Sequence, residues 1–275
     1  QKPAAQKPAA RIPPKPPARP RPVPVATEEQ RRLAEAEAMA IKLIENNARL
    51  QQEMAKAQAV PFKAIETPEA AMAELQAGNG RFVSGKRIRT LLSMQDTDLR
   101  AALAKGQAPF AVIVTCSDSR LADNLIFDQE LGRLFTIREA GNSPDIQGLA
   151  SVEYALEHLG SRLVVVLGHT SCGAVKAVQE AHGKPLPGNL WSLQAAMAGL
   201  LEALPEDPNE SAVEYRVRLE ALNAQRQAQT ILDRSEIVRH LSSAGKVKVL
   251  AAVYELASGQ VRFLEPPKGD APPSH

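Results

Sequence analysis

Phe110-Ala-Val-Ile-Val-Thr115 runs straight into Cys116-Ser117-Asp118-Ser119-Arg120, and Leu163-Val-Val-Val-Leu-Gly168 runs into His169-Thr170-Ser171-Cys172-Gly173. Short runs that are apolar on both faces are the mark of strands buried on both sides, as in parallel sheets. Leu134–Ile137 and Val247–Tyr254 have the same texture. Between the runs lie helical patterns. Leu149, Val152, Leu156 and Leu159 keep three-four spacing before Gly160, and a long helical region over about 190–241 is broken near Pro205–Pro208 and stopped by Gly245. Thr67-Pro68-Glu69 reads as a capped helix start with Pro in the first turn. Strand and helix in alternation predict an α/β fold, a mostly parallel β-sheet flanked by helices.

In such a sheet ligands bind just beyond the carboxyl ends of the strands. Cys116 and Cys172 are the only thiols of the chain, and both fall at that edge, with His169 three residues from the second. Two Cys and one His suit zinc, which accepts thiolate and imidazole together and prefers a tetrahedral set. Three protein ligands leave a fourth position open, as catalytic sites do. Two buried, inert thiols are the simpler alternative. Asp118 and Arg120 are either an ion pair capping the strand end or a working pair. In the second reading Arg120 keeps Asp118 ionised and turned toward the site. Released from Arg120, Asp118 becomes a conditional fourth ligand that closes the metal.

Cys-Ser-Asp-Ser-Arg, the following segment LIFDQELGRLFTIREAGN (125–142) and GHTSCGAV (168–175) together resemble the β-class carbonic anhydrases. The resemblance extends from LQAGNGRFVSGK (Leu75–Lys86) to VLAAVYELASGQVRFL (Val249–Leu264). It implies one Zn²⁺ per chain on Cys116, His169 and Cys172, with Asp118 and Arg120 as the catalytic dyad. The implied reaction is reversible hydration of CO₂ to bicarbonate and a proton, with zinc-bound hydroxide attacking CO₂ while the dyad orients it. It also implies an extra edge strand on the sheet and a homodimer or a multiple of dimers. Some members with a bicarbonate-sensitive inactive state carry Trp where this chain has Ile113. A carbon disulfide-type hydrolase on the same scaffold and a non-catalytic scaffold protein are the alternative readings. His158, His182 and His240 are proton-shuttle candidates by residue type only.

The rest of the chain is organised differently. Residues 1–26 form a Pro-rich tail expected to be extended and disordered; Lys2, Lys7, Arg11, Lys15, Arg19 and Arg21 stand there without an acid. The net charge of the whole is +2, so the remainder carries −4. Contact with an envelope or other anionic surface therefore belongs to the tail, and no nucleic-acid partner is expected of the folded body. Residues 27–60 read as a helical extension. Leu33, Ala36, Ala40, Leu43, Asn47, Leu50, Met54 and Ala57 form a heptad seam, which serves either a coiled coil or an amphipathic helix packed on its own domain. Residues 61–265 are the zinc-binding α/β catalytic domain and 266–275 a flexible carboxyl-terminal tail. No apolar run reaches the roughly 18 residues of a transmembrane span. The chain opens on Gln1 without an apolar leader segment. A periplasmic or envelope location is the expectation, with the cytoplasm as the alternative.

Overall fold

Val112 and Val114 point to one side of their strand, Ala111 and Ile113 to the other, and all four are fully buried. That alternation recurs in the neighbouring strands and explains why a sheet of such sequence needs helices on both faces. The computed structural model describes residues 64–87, 89 and 96–265, together with Thr27, Glu28 and scattered positions between Arg31 and Lys42. Among the described residues five strands form one sheet in the order β2-β1-β3-β4-β5. They are β1 (Ala111–Thr115), β2 (Leu134–Arg138), β3 (Leu163–His169), β4 (Lys248–Tyr254) and β5 (Val261–Leu264). The first four are parallel, and β5 runs antiparallel to β4 at the edge.

On one face Val112, Val114, Val164, Val166 and Ala251 meet α4 (Ile146–Glu157), α8 (Ala212–Arg234) and α9 (Glu236–Ser243) through Leu149, Val152, Ala224, Ile231 and Val238. On the other, Ile113, Leu163, Val165 and Leu167 meet α1 (Pro68–Val83) and α3 (Asp123–Ile126) through Ala71, Leu75 and Ile126. Each fully buried Val, Leu or Ile among them contributes about 1.5–3 kcal/mol. Further helices of the described residues 96–265 are α2 (Thr97–Leu103), α5 (Gly173–Ala181), α6 (Trp191–Ala196) and α7 (Leu200–Ala203).

The strand runs read from sequence lie where the strands are. The helical region expected over 190–241 is more broken than its periodicity implied, being α6 to α9. Gly199 takes a left-handed φ of 69° before α7, and Ser235 adopts extended backbone between α8 and α9. Ser235 caps α9 through Val238 N–H and reaches Glu153 of α4, so the break is locked by hydrogen bonds. A capping box between Ser211 and Glu214 starts α8 beyond the proline-rich interruption.

The described positions from Glu28 to Lys42 are helical and exposed, and they belong to a unit of their own. The heptad seam, the Pro-rich segment 1–26 and residues 266–275 lie outside the described residues. Among the described residues no helix is long and apolar enough to cross a membrane.

Two glycines of α1 test the packing. A Cβ on Gly78 would stand 1.8 Å from the carbonyl oxygen of Phe127, while one on Gly80 would meet nothing within 4 Å. Gly78→Ala is expected to destabilise by about 1–3 kcal/mol or more. Gly80→Ala should stabilise by about 0.5–1 kcal/mol through lower chain entropy in the unfolded state and better helix propensity. Urea midpoints of the two variants against the parent check both signs.

Candidate metal centre

In the parallel pairing of β1 with β3, Thr115 lies opposite Leu167, and its hydroxyl donates to the Leu167 carbonyl (3.0 Å). Cys116 therefore sits one residue beyond that rung and His169 two residues beyond it. A short left-handed turn at Ser171 (φ 58°) then brings Cys172 back as the cap residue of α5. Among the described residues the ligand atoms of Cys116, His169 and Cys172 lie within 4.8 Å of one another. His169 is fully buried, and Cys116 and Cys172 are 5% and 1% exposed.

The imidazole is oriented by its far nitrogen. His169 Nδ1 lies 3.0 Å from the Thr170 carbonyl, an arrangement that puts the proton on Nδ1 and the lone pair on Nε2. Nε2 is buried and has no hydrogen-bond partner among the described residues. A buried acceptor within 4.8 Å of two sulfurs has the placement of a metal ligand. The sulfurs fit the same picture. Cys172 at its side draws the Cys116 thiol below its ordinary range, and Cys116, together with burial, pushes the Cys172 thiol above its own. The donor set and spacing thus suit a borderline-soft cation such as zinc.

Beside the cluster, Arg120 grips Asp118 in bidentate fashion, Nε to Oδ1 at 2.8 Å and Nη2 to Oδ2 at 2.6 Å. The Arg120 backbone N–H adds a bond to Oδ1 (3.0 Å), and its guanidinium also donates to the Ser171 carbonyl (3.2 Å). Asp118 Oδ2 lies 4.0 Å from His169 Nε2, so this oxygen faces the cluster. The hydrogen bonds from Arg120 hold the Asp118 carboxyl well below the usual carboxylate range. Such a depressed value stabilises the fold above the ordinary carboxylate pKa, and the contribution is lost only as pH falls toward the lowered one. All five residues singled out in the sequence thus come together at one sheet edge. His158 instead lies against the Tyr154 ring, 5.1 Å between centroids.

Other residues of this site carry no label in the sequence. Arg138, the last residue of β2, donates to the carbonyls of Cys116 (3.3 Å) and Asp118 (2.6 Å) and so pins the loop between them. Gly141 N–H points at Cys116 Sγ (3.4 Å). Gly141 has a φ of 72°, a left-handed backbone that favours glycine, and a Cβ there would stand 2.1 Å from the Met197 methyl, which would have to move. Glu220 of α8 accepts the Cys172 N–H at 2.8 Å. Arg138 and Gly141 stand within the segment already notable for its likeness to a family, but Glu220 lies on α8, far along the chain from any of those motifs.

The carbonic anhydrase family profile matches residues 111–261. Carbonic anhydrase 2 of Mycobacterium tuberculosis is 37% identical over 194 residues, which are 70% of this chain and 91% of that protein. The carbonic anhydrase of Mycolicibacterium smegmatis is 36% identical over 210 residues, with 71% and 93% covered. Among solved structures, the β-carbonic anhydrase CafA of Aspergillus fumigatus superposes with a TM-score of 0.57 at 29% identity, covering 73% of this chain and 92% of that one. The Coccomyxa β-carbonic anhydrase in complex with acetazolamide gives 0.56 at 25% identity, over 63% and 80%. Fold, buried Cys–His–Cys cluster and family profile converge, and the chain belongs to the carbonic anhydrase family, in its β class, enzymes that use zinc.

Proposed function

We propose that this chain catalyses reversible hydration of CO₂ to bicarbonate and a proton, with Cys116, His169 and Cys172 holding zinc and Asp118 and Arg120 directing the reacting water. The observation that carries the reading is the buried Nε2 of His169, unpartnered among the described residues and within 4.8 Å of two sulfurs, with the Asp118 carboxylate 4.0 Å away. Zinc, when bound, supplies the Lewis acidity that makes a water deprotonable near neutral pH. The protein's part is orientation. Asp118 remains an acceptor because Arg120 keeps it ionised, and its Oδ2 is the oxygen on the cluster side. Accepting the hydroxyl proton of the reacting oxygen there turns a lone pair outward toward CO₂.

Arg120 also determines whether the fourth position stays free. While the guanidinium holds both carboxylate oxygens, Asp118 is withheld from the metal, and loss of that grip would let it close the site. Val175, Met197 and Leu219 pack around the two sulfurs and keep the cluster's surroundings apolar, which suits a small apolar substrate. CO₂ and water become bicarbonate and one proton, and the proton passes to solvent.

Cys172→Ser should release zinc, since a neutral hydroxyl replaces thiolate poorly. Full metal content by elemental analysis of that variant would refute the ligand set. Asp118→Asn should retain zinc while stopped-flow CO₂ hydration falls by about 10²–10⁴-fold, the usual range for losing a positioned proton acceptor. Turnover at the parent rate would remove Asp118 from the mechanism.

The pH dependence has a definite sign. Because Asp118 is ionised far below neutrality, activity that falls from about pH 9 to about pH 6.5 reports loss of the reacting hydroxide to its protonated form, water, and not protonation of Asp118. The acid limb should therefore persist in whatever activity Asp118→Asn retains. Its disappearance in that variant would mean that Asp118 titrates there.

Residues 1–59 are proposed to lie outside the catalytic unit, a reading supported by the start of the family match at residue 111. A chain beginning at residue 60 should hydrate CO₂ at the parent rate. Light scattering decides the role of the extension: a smaller oligomer supports the coiled coil, and an unchanged one the packed helix.

A further inference from the structure

The face of α8 nearest the metal cluster is polar although it is buried. Glu220, Asn223 and Gln227 are 2%, 1% and 3% exposed and lie at i, i+3 and i+7, one side of the helix. Packing does not call for them, because burying a carboxylate or an amide costs stability unless every polar atom is partnered. Glu220 Oε2 has no partner among the described residues. Burial raises the carboxyl above its ordinary range, which marks the position as costly. Gly168 lets this helix come close. A Cβ there would meet Ala224 Cβ at 3.2 Å and the Glu220 carbonyl at 3.4 Å.

Each end of the stripe leads to a different sulfur. Glu220 Oε1 accepts the Cys172 N–H at 2.8 Å, at the residue that follows the left-handed Ser171, and so braces the turn that returns Cys172 to the site. Cys172 heads α5 with no side-chain cap of its own, which makes Glu220 the acceptor for that helix start. Asn223 Nδ2 donates to the Gly141 carbonyl at 2.8 Å, and the N–H of Gly141 in turn points at Cys116 Sγ. Gln227 holds Asn223 from behind, donating to its Oδ1 (3.3 Å) and to the Ala196 carbonyl (2.9 Å).

We infer that Glu220 and Asn223 are positioning residues for the metal, α8 setting Cys172 through the first and Cys116 through the second. The inference rests on the zinc reading above and adds to it which residues outside the ligand set tune it. Partners that orient ligands in this way typically govern metal affinity by about 10–100-fold. A purely structural cap would show itself differently, as stability lost by the metal-free chain.

The test uses the full chain and two readouts besides activity: zinc affinity by competition with a chromophoric chelator, and the cobalt–thiolate charge-transfer spectrum of the Co²⁺ form. Glu220→Met, similar in length and apolar, should weaken zinc by about 10–100-fold and shift the cobalt band. The metal-free Tm should stay unchanged or rise, since an incompletely partnered buried carboxyl is gone. Glu220→Gln keeps the acceptor and should stay within about threefold of the parent. Asn223→Leu should weaken zinc from the Cys116 side and covers the case in which Glu220→Met does not fold. Parent-like affinity and spectrum in either Glu220→Met or Asn223→Leu overturns the inference while leaving the zinc reading intact. A lowered metal-free Tm in Glu220→Met with parent affinity in the folded fraction overturns it in favour of a structural cap. A parent chain that takes up no zinc overturns the zinc reading itself, and the inference with it.

Discussion

The parallel register of β1 against β3 is the constraint on which the site depends. With Thr115 opposite Leu167, the two central strands deliver Cys116 and His169 to one edge with no freedom to slide, because both faces of both strands are buried. A slip of one residue would reverse every Val and Ile between the two cores and move one sulfur away from the imidazole. The metal geometry is therefore held by the burial of Val112, Val114, Val164 and Val166, which never touch it. Loops contribute the rest: Ser171 turns the chain left-handed, and Arg138 ties the Cys116–Asp118 loop to the end of β2.

Much of this was legible in the sequence because the central strands are doubly buried and read as unbroken apolar runs. The strand ends carry the reactive residues, so finding the strands located the site. What escaped had physical reasons. The helical region after residue 190 was read as having one break, since Pro205 and Pro208 are visible breakers, whereas Gly199 and Ser235 break it through backbone conformation and side-chain capping. Glu220, Asn223 and Gln227 escaped because a polar stripe on a long helix ordinarily faces water. Its burial depends on how closely α8 can approach Gly168, which is a tertiary fact.

Asp118 and Arg120 show how charge placement divides labour. The two sulfurs and the imidazole are buried, while the Arg120 side chain is 52% exposed. Its grip on Asp118 is thus formed in high dielectric, where an ion pair is worth little as stability. Its bidentate geometry matters more than its energy. Three hydrogen bonds from one residue leave the carboxylate with a single orientation, and that orientation aims Oδ2 at His169. A lysine at this position would preserve the charge and lose the aim.

The centre as a whole is built against stability. Among the described residues His169 Nε2, Glu220 Oε2 and Asn142 Nδ2 are buried without hydrogen-bond partners, and Gly141, Asn142 and Ser171 all take positive φ. An apolar core of the same volume would fold more firmly. These costs fall beside the ligands, while the strands beneath, from Ala111 to Val114 and from Leu163 to Leu167, are fully buried. That distribution separates the two tasks: β1, β3 and β4 supply the rigidity, and the edge uses it to keep unpaired groups in place until a ligand partners them. On this view a substitution that relaxes the edge should firm the metal-free fold and loosen its hold on the ion together, because the same unpaired atoms cause both.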